Sequence, residues 1–187
     1  MFNIYVDADS FPRELVQIVL KRAVKEYSYI GEIVFVSDRV ISEVRNTSEH
    51  HTALLREGII DKEERRKVKS NIKYIIVEQG ANSADDKIVE IATLPSFAIT
   101  HDIPLAFRLV EKGLTVLDDR GNIYTKENIR ERKSERDFFT QLREYGFESN
   151  KTKKIDSKTI KLFSSSFDST FNKYKENNSL ALSFKPL

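Results

Sequence analysis

The 187-residue chain has no cysteine. That excludes disulfides, thiolate metal sites and a cysteine nucleophile, and it fits a reducing compartment. No apolar run approaches the roughly 20 residues that cross a bilayer. The N-terminus passes directly into a strand-like stretch, so a cytoplasmic protein with no membrane partner is expected. Neither charge dominates: 31 Lys and Arg face 29 Asp and Glu, a formal net charge of +2. Global charge therefore selects no partner. Internal repeats are also missing. Of the three histidines, His50-His51 sits in a polar connection with no partner at metal-ligand spacing, and His101 reads as a loop residue.

What is present is enough for a core. Forty per cent of the residues are hydrophobic and 32% charged, which suits one domain of ordinary size. Basic residues gather toward the C-terminus, 12 against 7 acidic between Arg120 and Lys161. That surplus suits a phosphate-rich partner and equally a solvated helix face.

Short apolar stretches at 2–6, 33–36, 72–77, 97–100 and 114–117 read as strands. Helical patterns follow at Arg13–Tyr27, with Pro12 at its start, at Ala84–Thr93 and at Pro104–Lys112, which Gly113 is placed to end. Apolar strands alternating with helices predict an α/β fold: three layers, α/β/α, around a mostly parallel central sheet. Residues 38–71 read as a long polar connection with a helix near Lys62–Lys69. Residues 1–146 are expected to form the α/β domain. Residues 147–187 should add one helix, packed through Ile160, Phe163, Phe167, Phe171 and Tyr174, and a polar tail over NNSLALSFKPL.

Aspartates follow four of the five strands. Asp7 and Asp9 follow the first, Asp85 and Asp86 begin the helix after the third, Asp102 follows the fourth, and Asp118-Asp119 the fifth. Several have local explanations. Ser83 and Asp86 match a capping box, Asp102 can cap the next helix, and Asp118-Asp119 before Arg120-Gly121 is a turn signal. The Asp7 and Asp9 pair gains nothing obvious from two like charges. In open α/β sheets ligands bind beyond the carboxyl ends of the strands. Carboxylates gathered there suit a hard divalent cation such as Mg²⁺ or Mn²⁺, and thus phosphodiester chemistry.

VDADSFP, SADDKIVE, AITHDIPLAFRLVEKG, LDDRGNIYT and IRERKSERDFFTQLREYG, in this order, closely resemble the motifs of the YaiI/YqxD family of uncharacterised bacterial proteins. The resemblance spans about residues 3–175 apart from the long connection. That family is similar to PIN-type nuclease folds. The resemblance implies metal ligands at Asp7, Asp9, Asp85 and Asp102, with Asp7 and Asp102 catalytic, and a phosphate-facing surface at Arg120, Arg130, Arg132 and Arg136. Two departures stand out. Ser10-Phe11 precedes Pro12 where members commonly have a cysteine, and the 38–71 connection is long, with Arg39 and Arg45 as the available arginines.

Three functions follow as expectations. The first is a Mg²⁺- or Mn²⁺-dependent nuclease acting on RNA. The second is a PIN-like module that binds RNA or protein without turnover. The third is an aspartyl-phosphate phosphatase with Asp7 as nucleophile and Asp9 as acid/base, which needs a metal pair at Asp118-Asp119 and a lysine such as Lys112.

Overall fold

The computed structural model describes residues 1–9, 11–80, 82–145 and 155–183. Its architecture starts from the alternation of one strand, β1 (Phe2–Asp7). Phe2, Ile4 and Val6 enter one core, while Tyr5 enters a second core on the opposite face. Side chains two apart share a face, so Asp7 ends the strand on the side of Tyr5.

Four further strands extend the parallel sheet: β2 (Ile30–Ser37), β3 (Ile72–Ile76), β4 (Ser96–Ile99) and β5 (Thr115–Leu117). The order is β3-β2-β1-β4-β5-β6, with β6 (Ile123–Tyr124) antiparallel to β5. Helix α1 (Arg13–Lys25) covers the first face through Leu15, Val16, Val19, Leu20 and Ala23, at helical spacing. Helix α7 (Ser157–Ser183) lies on the same side. Its Phe163, Phe167 and Phe171 are at most 1% exposed and share the core of Phe2 and Phe97. Burying each phenyl contributes roughly 1.5–3 kcal/mol. Helices α4 (Ser83–Ile91) and α5 (Ile103–Glu111) cover the opposite face, and α6 (Ile129–Glu144) packs along α5. The protein is thus a three-layer α/β/α fold. No helix among the described residues is long and apolar enough to cross a membrane.

The structure differs from the sequence expectation in four places. The 38–71 connection holds two helices, α2 (Ser42–Leu55) and α3 (Lys62–Lys67). Helix α2 leaves little trace in the sequence because only Val44 and His51 in it are buried, too few to make an apolar stripe. Strand β6 is two residues long and leaves no period to read. The expected tail is helical as far as Ser183, in a stretch without glycine or proline before Pro186. The capping box is not made. Asn82, at φ 63°, caps α4 with no side-chain bond, and Ser83 donates to the Gly80 carbonyl instead.

Candidate active site

The chain crosses the sheet once. Strands β1, β2 and β3 are laid outward in one direction, and the chain then returns through α4 to place β4 on the other flank of β1. This reversal opens a crevice at the carboxyl ends of β1 and β4, the usual ligand position in such sheets. Asp7 stands there, 7% exposed, and its Oδ2 accepts a 2.7 Å hydrogen bond from Thr100 Oγ1. Thr100 follows β4 and is itself buried. Its hydroxyl also accepts from the Asp102 backbone N–H at 3.0 Å, so one side chain ties the two strand ends together.

Four carboxylates from three segments line a single pocket of about 210 Å³: Asp7, Asp9, Asp85 and Asp102, with Ser83 and His101 beside them. Asp9 Oδ1 accepts from the Asp38 N–H at 2.6 Å, and the Arg39 guanidinium donates to the Asp9 carbonyl. Burial holds the Asp9 carboxyl above its usual value. The Asp38 N–H opposes that shift, and the charges of Asp38 and Asp7 add to it. Asp102 Oδ1 caps α5 by accepting from Leu105 N at 2.8 Å, while Oδ2 lies 3.8 Å from Arg136 Nη2. Asp85, in the first turn of α4, is pushed up to about 6 by burial and then by the charges of Asp102 and Asp7, against Arg108. The pocket is therefore a place where negative charge is costly.

The neighbouring acids are used differently. Asp86 points away and pairs with Arg108 at 2.8 Å. Asp118, 4% exposed, accepts from the N–H groups of Arg120 and Asn122, from Asn122 Nδ2 and from Tyr124 OH. It closes the β5–β6 turn. Burial of Asp119 raises its carboxyl, with His101 pulling against the shift. Of the four expected phosphate-facing arginines, Arg136 contacts an acid of the pocket. Arg130 lies 3.7 Å from Glu111 at the far end of α5, Arg132 pairs with Glu135 in its own helix, and Arg120 is exposed in the turn. Ser10, the position that departs from the expected cysteine, lies outside the described residues. Thr100 and Asp38 are the site residues that sequence reasoning misses; the only trace of Thr100 is its place between strand and acid in AITHD.

The donor set is that of a hard cation, all carboxylate oxygen. Among the described residues, however, no group of three or more His, Asp or Glu is arranged to hold a metal ion. The two facts are compatible for Mg²⁺, which keeps several waters and is commonly bound through one or two carboxylates.

A family model described as "Uncharacterized BCR, YaiI/YqxD family" matches residues 42–173. The chain belongs to the YaiI/YqxD family. A relative from Desulfotalea psychrophila (strain LSv54 / DSM 12343), named only as a UPF0178 protein, is 35% identical over 166 residues, 89% of this chain and 95% of its own. A second UPF0178 protein, from Acinetobacter baylyi (strain ATCC 33305 / BD413 / ADP1), is 31% identical over 174 residues, 93% of this chain and 96% of its own. A third, from Syntrophobacter fumaroxidans (strain DSM 10017 / MPOB), is 34% identical over 171 residues, 91% and 95%. No solved structure matches the chain. Members of the YaiI/YqxD family carry no stated activity in these names, so function rests on the pocket.

Proposed function

We propose that this YaiI/YqxD protein is a metal-dependent nuclease that hydrolyses RNA, with Mg²⁺ or Mn²⁺ taking one or two of the Asp7, Asp9, Asp85 and Asp102 carboxylates directly and facing the others through water. The reading rests on one observation: four carboxylates from three segments line one small pocket at the strand-order reversal, where burial first, and the charges of Asp102 and Asp7 second, raise the Asp85 carboxyl. A divalent cation bound there supplies charge to polarise a phosphoryl oxygen and to make water a better nucleophile. The chain's own side chains position the reaction. Thr100 fixes the Asp7 carboxylate through Oδ2, leaving Oδ1 outside that bond. Asp102 is held by the α5 N-terminus, and Arg136 next to it can receive a phosphate oxygen. Arg39, anchored on the Asp9 carbonyl, stands on the opposite flank. Asp7 and Asp102 are the residues assigned to catalysis.

A second reading, a non-catalytic RNA-binding module, is favoured by the lack of any preset three-acid ion site among the described residues. The phosphatase reading loses its accessory groups. Asp118 is committed to its turn, and Lys112 donates to the carbonyls of Val89 and Ala92.

The deciding measurement is cleavage of an end-labelled RNA with Mn²⁺ or Mg²⁺, against an EDTA control. Cleavage lost in Asp7→Asn and in Asp102→Asn, with folding intact, supports the nuclease. Cleavage unchanged in both variants sinks it. Binding without cleavage in the unaltered protein selects the module.

A further inference from the structure

Strand β3 stands last in the sheet order, with β2 as its neighbour on one side. The Ile33 N–H donates to the Asn71 carbonyl, and the Val77 N–H to the Ser37 carbonyl. Backbone groups alternate in direction along a strand, so Asn71, Lys73, Ile75 and Val77 turn theirs toward β2. Ile72, Tyr74 and Ile76 therefore turn theirs outward. Ile72 is satisfied locally: its N–H donates to Ser70 Oγ at 3.0 Å, and its carbonyl accepts from Ser48 Oγ at 2.7 Å. The outward N–H and carbonyl groups of Tyr74 and Ile76 meet no partner among the described residues.

The side chains leave the same edge open. Ile72 enters the core shared with α1 and with Val44 of α2, so Tyr74 and Ile76 lie on that face of the strand, 42% and 49% exposed. Between β3 and α2 lies a groove of about 450 Å³, lined in part by Ser48, Thr52, Arg56, Lys69, Lys73 and Tyr74. Its surroundings are basic: residues 56–73 carry seven Lys and Arg against four Asp and Glu. Lys69 is exposed, Arg56 is fixed by donating Nε–H to the Val68 carbonyl at 2.9 Å, and Lys73 is shared with Glu32.

We infer that the open edge of β3 binds an extended acidic segment of a partner protein, which adds a seventh strand beside α2. An added strand returns a donor and an acceptor to the outward groups of Tyr74 and Ile76. Its apolar side chains cover those two residues, and its acidic ones meet the basic end of the groove at Lys69. Nucleic acid is the poorer occupant, because a phosphodiester backbone offers acceptors and leaves both carbonyls unmet. A second copy of the chain is poorer as well. Ser48 and Ser70 close the edge at Ile72, so pairing of two β3 strands engages the backbone of Tyr74 and Ile76 alone. So short a pairing is small beside the about 800 Å² per partner of a stable interface.

The test measures fluorescence anisotropy of a labelled, end-blocked peptide, Glu-Glu-Glu-Val-Thr-Val-Thr-Val, titrated with the full chain. It should bind about tenfold or more tightly than its counterpart with Lys in place of Glu, and Lys69→Glu should narrow that preference about threefold. Ile76→Pro removes one outward N–H and spares the ladder to β2, since that N–H does not face β2. It should weaken binding about tenfold, with the thermal midpoint near that of the unaltered protein. The same peptide N-methylated at its valines and threonines should lose binding to the unaltered protein, a reading of the edge that survives any unfolding of the proline variant. No binding by the unaltered protein, equal binding of the Lys peptide, a preference untouched by Lys69→Glu, or undiminished binding of the methylated peptide each overturns the inference. So does a dimer, by sedimentation, that Ile76→Pro dissolves, which assigns the edge to a second copy. A labelled single-stranded RNA that displaces the peptide, and whose own binding Ile76→Pro weakens, assigns the edge to nucleic acid and overturns it too.

Discussion

Two acidic corners of this protein contrast sharply. In the β5–β6 turn, Asp118 accepts from two backbone N–H groups, one amide and one phenol, all within six residues of itself. Its charge is spent, and its effect is outward: the buried Tyr124 hydroxyl, already raised by desolvation, is raised further by Asp118. At the β1–β4 crevice, Asp7, Asp9 and Asp102 each accept one such bond from a threonine hydroxyl or a backbone N–H, and Asp85 is raised to about 6. A carboxylate satisfied by near neighbours builds structure. Carboxylates brought together from distant segments, with like charges among them, are what the proposed metal-binding function calls for.

The comparison can be broken first at Asp7. Asp7→Asn preserves shape and the Thr100 contact but removes the charge, and should reduce metal-dependent RNA cleavage by about a thousandfold or more, some 4 kcal/mol in the barrier. A loss under tenfold, in initial rates at saturating Mn²⁺, would place the chemistry elsewhere. The reverse experiment is Asp118→Ala. It strands the Tyr124 hydroxyl and two N–H groups, and should cost about 3 kcal/mol of stability in urea unfolding. The specific cleavage rate of the remaining folded protein should be unchanged. If that rate falls with stability intact, Asp118 belongs to the site.

Asp85 offers the smallest and most diagnostic effect. Its carboxyl titrates near 6 in the folded protein and near 3.8 unfolded, so the folded state binds the proton more tightly. Its unfavourable contribution is therefore fully present above about pH 6 and disappears as pH falls toward 3.8. Asp85→Asn should stabilise the protein at pH 7.5 by about 1 kcal/mol, allowing for solvent screening of a partly exposed group. The gain should vanish near pH 4, as followed by thermal midpoints across that range. Destabilisation at pH 7.5 would show that the acid is satisfied rather than strained.

Much of both corners is legible in the sequence. Asp7 after an apolar strand, Asp102 before Ile103-Pro104 and the turn at Asp118-Asp119 are local patterns, and local patterns survive folding. Less legible are the partners. Thr100 joins Asp7 across 93 residues, Asp38 reaches Asp9 across 29, and Arg136 reaches Asp102 only because α6 lies antiparallel on α5. Helix α2 illustrates a different failure. It is held over β3 by polar anchors such as Ser48 to the Ile72 carbonyl, and a helix with so small an apolar face has no period to betray it.

By itself, then, the amino-acid order determined the α/β class, the five apolar strands that make the parallel sheet and the succession of acids behind them, because side-chain period and turn chemistry act over a few residues. Only the tertiary structure decided which acids meet. The strand order turns back at β1 and β4, so Asp7, Asp9, Asp85 and Asp102 share one pocket while Asp86 pairs with Arg108 and Asp118 closes a turn. Strand order depends on how two cores fill on either side of the sheet, a long-range packing outcome that no short stretch encodes.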